Sequence, residues 1–331
     1  MAKILALVLA GGNGTRLQPL TAEHAKPALP LARGYRIIDF VLSNLVNSKI
    51  SLIYVLAQYK PASLIEHIRA AWWVPSRTRP EYEITVLLPR AYRPGDSFAG
   101  TADAVYQNLD LLERHRPDLV AVFAADHVYR MDVRQMVEFH LRRNAEVSVA
   151  AVPVPLENGS RFGIMAADAD GWIRDFQEKP SRPAPMPGDP RRAYASMGNY
   201  LFNPNTLSAL LEDAGRRGDF DFGRHILPRA VRSSRVLAYD FGSNNVPGTQ
   251  PHEERSYWRD IGTLDAYRAA QRDVLGPLPR FSLVNPEWPI GSNGDRVRRK
   301  DPAAWKGPWT TVVSRPASVT TRNNPNKSQT G

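Results

Sequence analysis

The chain has 331 residues, no cysteine and a formal net charge of +10. Its 43% hydrophobic and 23% charged content is ordinary for a globular protein, and its length allows a sizeable core. The lack of cysteine excludes disulfides, thiolate zinc sites and a cysteine nucleophile, and it favours a reducing, cytoplasmic location. No run approaches the roughly 18 apolar residues of a membrane span. The short apolar N-terminus predicts a first strand rather than a signal peptide.

The positive charge is concentrated at the C-terminus. Residues 291–331 carry +6 of the +10, from eight Lys or Arg and two Asp, and the first 290 residues carry only +4. A basic chain is a candidate nucleic-acid binder, but the body is nearly balanced and contains no recognised nucleic-acid-binding motif. We therefore expect no specific nucleic-acid partner. Binding of nucleic acid through the basic tail is the alternative.

Apolar runs and helical segments alternate along the first half of the chain. Continuous apolar runs are typical of strands buried on both faces, and the segments between them have helical character. The predicted strands are 4–10, 52–57, 119–124 and 146–154, and the predicted helices are 38–48, 62–72, 101–114 and 133–143. This alternation predicts an α/β fold with a mostly parallel sheet, whose ligands lie beyond the carboxyl ends of the strands.

The second half of the chain is less regular. Residues 155–193 are rich in proline and glycine, and within them 180–192 is typical of a long exposed loop. The later predicted elements are a strand at 194–202, a helix at 206–214, a strand at 235–241 and a helix at 263–275. The pattern ends after Pro289, and residues 291–331 lack periodicity, so we expect them to be disordered.

A glycine-rich segment at residues 9–17, called the glycine loop below, follows the first predicted strand. Gly11, Gly12 and Gly14 allow positive φ and close approach of the backbone to a ligand. Successive N–H groups can form an anion site, and Arg16 adds a permanent cation suited to polyphosphate. The segment is neither a P-loop nor a GxGxxG motif, because the Lys-Ser/Thr pair and the last glycine are missing. A purely structural turn is the alternative.

Two aspartates and a lysine are further candidates. Asp126 follows the buried strand 119–124, where a Mg²⁺ ligand is expected, and Asp260 is a second acid before a predicted turn and helix. For either aspartate alone, a helix cap or turn is the commoner explanation, and Lys179 beside proline is compatible with solvated surface. His127 has no HxH, HExxH or cysteine partner, so we do not expect a histidine-based metal cluster.

These features occur in blocks that resemble the sugar-nucleotide pyrophosphorylases and, more narrowly, the glucose-1-phosphate adenylyltransferases. The blocks cover roughly residues 4–290 and are LAGGNGTRL, KPALPL, YRIIDFVLSNLVNS, AQY, GTADAVYQNLD, ADHVYRMD, VPVPLENGSRFGIM, FQEKP, ASMGNYLF, DFGRHILP and YWRDIGTLDAY. The resemblance implies a Rossmann-like nucleotidyltransferase fold with a mixed sheet flanked by helices. It also implies transfer of the adenylyl group of ATP to α-D-glucose 1-phosphate, with Mg²⁺ as cofactor, for glycogen or α-glucan synthesis.

The resemblance also implies roles for individual residues. Asp126 and Asp260 would hold Mg²⁺, and Arg16, Asp126 and Lys179 would be catalytic. The implied substrate-binding residues are Gly11, Gly12, Gly14 and Thr15 in the glycine loop, then Lys26, Gln58 and Phe98, and, around the glucose phosphate, Gly163, Glu178, Lys179 and Ser196.

The sequence departs from the family at several places, and three of them bear on the active site and on the domain content. Phe98 stands where the family has a tyrosine, and Ala125 where it has a glycine. The six-residue repeats of the family's C-terminal left-handed β-helix do not follow Ile290, so we expect that domain to be absent, through a frameshift or as a natural short form. The family's usual homotetramer is then in doubt. The predicted division is a catalytic domain over 1–275, the start of a linker over 276–290 and a basic tail over 291–331.

Two alternatives to an active adenylyltransferase stay open. One is a nucleotidyltransferase for another nucleoside triphosphate or sugar 1-phosphate, because base choice is not readable from these motifs. The other is an inactive truncated or regulatory subunit. Retention of Arg16, Asp126, Lys179 and Asp260 favours an active enzyme. We expect ATP and glucose 1-phosphate as its partners, and no membrane.

Overall fold

A computed structural model describes residues 2–32, 34–72, 82–90 and 97–291, so that the predicted disordered tail lies outside the described residues except for Gly291. The strands are Ile4–Ala10 (β1), Leu52–Ala57 (β2), Glu83–Leu87 (β3), Leu119–Ala124 (β4), His127–Tyr129 (β5), Val147–Pro155 (β6), Gly163–Ala167 (β7), Ile173–Glu178 (β8), Arg192–Phe202 (β9), Val236–Asp240 (β10) and Trp258–Asp260 (β11). The helices are Ile37–Asn47 (α1), Pro61–Trp72 (α2), Thr101–Tyr106 (α3), Asp110–His115 (α4), Val133–Arg142 (α5), Pro204–Arg217 (α6), Leu227–Ser233 (α7) and Leu264–Asp273 (α8).

The main sheet runs in the order β10-β6-β9-β4-β1-β2-β3. Parallel pairs join β3, β2, β1 and β4 in succession, and another joins β10 to β6. The long strand β9 lies antiparallel between β4 and β6, and the β7–β8 hairpin adds to it through β7. The predicted α/β fold with a mostly parallel mixed sheet is confirmed.

Strand β1 shows why its sequence is apolar without interruption. Its alternate residues enter different cores: Leu5 and Leu7 pack on one side of the sheet, Ala6 and Val8 on the other, and all four are fully buried. Successive side chains of a strand point to opposite faces, and helices cover both faces here. Helices α1, α2 and α5 contribute to one core, and α3, α4, α6 and α7 to the other.

The prediction of one helix over 101–114 is wrong, because two short helices form there. Asn108 interrupts the ladder: its side-chain amide donates to the carbonyl of Ala104 at 2.8 Å, while its own N–H donates to Val105. The N–H groups of Leu109, Leu111 and Leu112 likewise donate to the carbonyl three residues earlier in the chain. An asparagine that competes for helix carbonyls favours this tighter turn.

Two strands, β7 and β8, lie in the proline- and glycine-rich stretch 155–193, where the sequence predicts no element. Their hairpin is closed by Asp168, whose carboxylate accepts from the N–H groups of Asp170 and Trp172. Ile173 and Phe176 are buried on β8, a spacing of three that does not follow strand alternation. A sequence reading based on alternation therefore misses this hairpin.

The chain after α8 packs against α1. Phe281 lies 5.8 Å from Phe40 between ring centroids, the indole of Trp288 donates to Asn44 at 3.3 Å, and Gly291 N–H donates to Ser43 at 2.9 Å. The predicted linker segment is thus held against the main fold, while the proposed domain division stays a prediction. Among the described residues, no helix is long and apolar enough to cross a membrane.

Candidate active site

A two-stranded ribbon brings Asp126 and Asp260 together, although 134 residues of sequence separate them. Asp126 lies two residues beyond the end of β4, and the next residue, His127, begins β5 and lies opposite Asp260 of β11 in antiparallel register. The N–H of Ile261 donates to the carbonyl of Asp126 at 3.2 Å. The ribbon therefore holds both carboxylates, called the carboxylate pair below, beyond the carboxyl end of β4, where ligands of such sheets bind.

Lys26 lies between the two members of the carboxylate pair. Its Nζ is 2.7 Å from Asp126 Oδ2 and 3.8 Å from Asp260 Oδ1. The lysine side chain is 9% exposed, while those of Asp126 and Asp260 are 35% and 29% exposed. Burial alone would raise the pKa of Asp126, but the Lys26 ammonium and His127 outweigh it and hold this pKa well below its usual range.

His127 completes the group around the carboxylate pair. Its Nε2 is 3.3 Å from Asp126 Oδ1 and 3.8 Å from Asp260 Oδ1, and its ring lies 5.1 Å from that of Trp258 between centroids. The buried Nδ1 has no hydrogen-bond partner among the described residues. One ligand atom from each of the three side chains lies within 4.8 Å of the others. This is one histidine with two carboxylates, not a histidine cluster.

The carboxylate pair fits a hard divalent cation. Its oxygens are the donors that Mg²⁺ prefers, and their partial exposure leaves room for the waters that Mg²⁺ retains. The lysine ammonium between them shows that this position already attracts positive charge. Asp126 and Asp260 are the residues that would hold the ion.

The glycine loop leaves β1 beside the carboxylate pair. Gly14 has φ 67°, and a β-carbon there would lie 2.9 Å from Thr21 Cγ2, so glycine is required both by conformation and by space. The hydroxyl of Thr21 donates to the Gly14 carbonyl at 2.8 Å. Thr15 begins a short 3₁₀ turn and is exposed, and a β-carbon at Gly12 would meet no atom within 4 Å. The loop surface is thus open to a ligand.

The guanidinium of Arg16 lies near Gly262, two residues after Asp260. A β-carbon at Gly262 would lie 3.5 Å from Arg16 Nη2 and 3.0 Å from Asp260 Oδ2. The missing side chain at Gly262 therefore leaves room for the guanidinium on the Asp260 side of the carboxylate pair. Arg16 itself is exposed, so its charge remains available to a polyanion.

Gln58, after β2, connects two segments of the site. Its Nε2 donates to the carbonyl of Gly11 at 2.8 Å, and its Oε1 accepts from the N–H of Phe98 at 2.6 Å. The Phe98 side chain is only 4% exposed and belongs to the core on the α3 side of the sheet. Phe98 thus contacts Gln58 through its backbone N–H, while its ring packs in the core of the protein.

A second group lies at the end of β8. The carboxylate of Glu178 is paired with the ammonium of Lys179, which is 55% exposed. A β-carbon would lie 3.0 Å from Glu178 Oε2 at Gly163 and 2.6 Å from it at Gly223. Glycine at both positions leaves the space in which this carboxylate lies. Glu178, Lys179, Gly163 and Ser196 are called the acceptor cluster below.

Strand β9 links the acceptor cluster to the carboxylate pair. Ser196, whose Oγ accepts from the N–H of Gly198 at 3.2 Å, precedes the buried Tyr200 on this strand. Burial raises the pKa of Tyr200, and the negative charges of Glu178, and more weakly Asp126, raise it further. Between them, Gly198 has φ 72°, and a β-carbon there would lie 3.1 Å from Ala124 Cβ. This close approach places β9 directly beside the strand that presents Asp126.

The sequence reading missed some residues that shape the site. Gly198, Gly223 and Gly262 make the close approaches described above, and each lies inside a block used for the resemblance, which was the only available signal. The contact of Lys26 with both carboxylates also has no signal in spacing, because Asp126 is 100 residues away.

Known proteins share this sequence over most of its length. A family model described as nucleotidyl transferase matches residues 5–276. The chain is 50% identical over 309 residues to a glucose-1-phosphate adenylyltransferase of Thermodesulfovibrio yellowstonii, covering 93% of this chain and 72% of that protein. It is 48% identical over 295 residues to that of Thermus thermophilus, covering 87% and 70%, and 50% identical over 294 residues to that of Anaeromyxobacter dehalogenans, covering 88% and 70%.

Proposed function

The chain belongs to the nucleotidyl transferase family, and from this premise we propose that it is a glucose-1-phosphate adenylyltransferase. It transfers the adenylyl group of ATP to α-D-glucose 1-phosphate, giving ADP-glucose and pyrophosphate. The product is an activated glucose for glycogen or α-glucan synthesis. The observation that carries the proposal is the convergence of Arg16, Lys26 and the carboxylate pair beside an open glycine loop.

ATP binds at the glycine loop in this proposal. The N–H groups around Gly11, Gly12 and Gly14 face the phosphates, since a loop of this kind forms a concave anion site. Arg16 neutralises the β- and γ-phosphates, which leave as pyrophosphate. Gln58 keeps the loop in position through its bond to the Gly11 carbonyl.

Glucose 1-phosphate binds at the acceptor cluster. The exposed Lys179 ammonium is suited to the sugar phosphate, and Ser196 adds a hydroxyl. The carboxylate of Glu178 accepts hydrogen bonds from sugar hydroxyls, as paired carboxylates do in polar sites. Gly163 leaves the room that a ring needs next to it.

The reaction needs orientation and charge neutralisation more than proton transfer. A phosphate oxygen of glucose 1-phosphate attacks the α-phosphorus of ATP in line, a new P–O bond forms, and the bond to pyrophosphate breaks. The attacking oxygen is already ionised at neutral pH, so no general base is required. Lys179 orients the attacking phosphate, and Arg16 stabilises the charge that develops on the leaving group.

Mg²⁺ bound by Asp126 and Asp260 would neutralise phosphate charge near the reacting phosphorus. Lys26, with its ammonium at 2.7 Å from Asp126, is then available to the phosphates. The proposal includes a cytoplasmic location, where ATP and sugar phosphates occur. It makes no use of the homotetramer that is usual in the family.

Pyrophosphate release by the purified full-length chain tests the proposal. Each common nucleoside triphosphate is combined with glucose 1-phosphate and Mg²⁺, and ATP is then combined with other sugar 1-phosphates. We expect ATP with glucose 1-phosphate to give the highest kcat/KM. A clear preference for UTP, GTP or another sugar would replace the proposal with the alternative nucleotidyltransferase. No release with any pair would support the inactive subunit.

A further inference from the structure

Lys26 lies between the two carboxylates that would hold a divalent cation. We propose that the ammonium of Lys26 takes the place of a metal ion beside the carboxylate pair in the metal-free protein. A metal ion must displace this ammonium to bind, and the displaced ammonium then turns toward the nucleotide phosphates. This inference rests on the proposed function for the identity of the phosphates, but the competition between ammonium and metal does not depend on it.

The geometry around Nζ supports direct competition. The ammonium contacts Asp126 at 2.7 Å and lies 3.8 Å from Asp260. Those two carboxylates also supply the oxygens of the three-residue group whose ligand atoms lie within 4.8 Å of one another. A metal held by both carboxylates needs the volume that the ammonium now fills, so the two cations exclude each other.

Electrostatics explains why a cation is needed there in the metal-free protein. Two carboxylates held this close repel each other, and their partial burial strengthens the repulsion relative to water. The ribbon of β5 and β11 fixes their separation, because His127 and Asp260 are paired in register. The carboxylate pair cannot separate without breaking the ribbon, and a nearby positive charge relieves the repulsion in the metal-free protein.

The position of Lys26 also allows its ammonium to reach a phosphate bound at the glycine loop. A β-carbon at Gly14 would lie 3.3 Å from Lys26 Cβ, so the lysine stem begins beside the glycine loop. A flexible four-carbon stem allows the ammonium to move from carboxylate to phosphate without a change in the backbone. Metal entry and phosphate binding thus favour each other through one side chain, and such coupling is reciprocal.

Binding of Mn²⁺ alone, followed by electron paramagnetic resonance without nucleotide or sugar, tests the inference. Lys26→Met removes the competitor and should lower the Mn²⁺ dissociation constant at least about tenfold, because an ion pair near a protein surface is worth several RT. Arg16→Met is the matched control. It removes a positive charge near Asp260 that, unlike Lys26, does not lie between the two carboxylates. It should therefore lower the Mn²⁺ dissociation constant less than about threefold.

Lys26→Arg keeps the positive charge and should keep the Mn²⁺ dissociation constant within about threefold of the wild-type value. Thermal unfolding without metal verifies that each variant is folded, and this variant also covers the case in which Lys26→Met fails to fold. Unchanged Mn²⁺ affinity in Lys26→Met, or an equal gain in Arg16→Met, would overturn the inference. If Lys26→Met does not fold, a Mn²⁺ dissociation constant of Lys26→Arg more than about tenfold below the wild-type value would overturn it, because the competing charge is retained in that variant. Since no substrate is present, failure of adenylyl transfer leaves this readout intact.

Discussion

The side-chain amide of Gln58 donates a hydrogen bond to the carbonyl of Gly11 at 2.8 Å. A β-carbon at Gly11 would lie 3.0 Å from the same nitrogen, so the glycine allows the approach. The other end of the amide holds the N–H of Phe98. One side chain therefore fixes the glycine loop relative to the segment that leads into α3, and the loop's N–H groups keep a defined orientation.

Gln58→Glu should raise the KM for ATP by about tenfold, because small displacements of binding groups are costly in oriented sites. One oxygen of the new carboxylate can still accept from the N–H of Phe98. The other oxygen replaces the NH₂ group that donates to the Gly11 carbonyl, so that hydrogen bond is lost and two acceptors face each other. Steady-state kinetics at saturating glucose 1-phosphate measures the change. Gln135→Glu is the matched control, because this half-buried amide of α5 likewise donates to a backbone carbonyl and accepts from a backbone N–H, both of Asn245, and it should leave the KM unchanged. An unaltered KM in Gln58→Glu would show that the loop does not depend on this bond.

Asp126→Ala should lower kcat by at least about a thousandfold with the fold retained, because it removes half of the carboxylate pair that would hold Mg²⁺. Pyrophosphate release at saturating Mg²⁺ measures the loss, and circular dichroism checks the fold. Asp213→Ala removes a half-buried aspartate of α6 that is paired with Arg217, and it should leave kcat unchanged. Near-wild-type turnover by Asp126→Ala would exclude Asp126 as a metal ligand for the reaction.

Lys179→Gln should raise the KM for glucose 1-phosphate by about tenfold or more and leave the KM for ATP nearly unchanged, since one phosphate contact with a charged donor is lost. The two constants are measured separately, each at saturating second substrate. Arg191→Gln, which removes a nearly fully exposed cation, is the control. An equal rise in both constants for Lys179→Gln would place its ammonium at a site shared by the two substrates.

Gly198→Ala should lower the free energy of unfolding by about 2 kcal/mol, from about 1 kcal/mol or more of left-handed backbone strain and a further cost of crowding. The new methyl group would lie 3.1 Å from Ala124 Cβ. Gly188→Ala is the control, because Gly188 has φ 77° but no atom within 4 Å of a β-carbon. Urea unfolding compares the two. Equal losses would show that conformation, not close approach, requires glycine at position 198.

The burial of His140 leads us to expect a specific pH dependence of the free energy of unfolding. It is 1% exposed, with Nδ1 at 2.8 Å from Ser148 and Nε2 at 3.1 Å from Asn203. Burial lowers its pKa, and the bond to Asn203 offsets this only in part. The unfolded chain then binds more protons than the folded one once the pH falls below the unfolded value of about 6.5, so stability is lost there on acidification.

Urea unfolding of wild type and His140→Gln between about pH 8 and 5 measures this term. The wild type should lose more stability than the variant as the pH falls, because glutamine has no proton to bind. His252→Gln removes an exposed histidine and should follow the wild-type curve. Parallel curves for wild type and His140→Gln would mean that His140 titrates alike in both states.

The sequence by itself determined the central strands and the family. Continuous apolar runs predicted β1, β2 and β4 to the residue, because a strand covered by helices on both faces has no polar position. The ordered blocks indicated the nucleotidyl transferases, in agreement with the family match over residues 5–276. The motif residues are thus identified through the resemblance of these blocks to the family, and not through local chemistry alone.

Only the tertiary structure decided how those residues meet. A three-residue strand such as β5 or β11 is too short to carry a periodic signal, yet their pairing sets the distance between Asp126 and Asp260. The contact of Lys26 with both carboxylates is likewise invisible in spacing. The chain joins these groups across a hundred residues or more, and only packing of the sheet, the glycine loop and the ribbon determines which charges become neighbours.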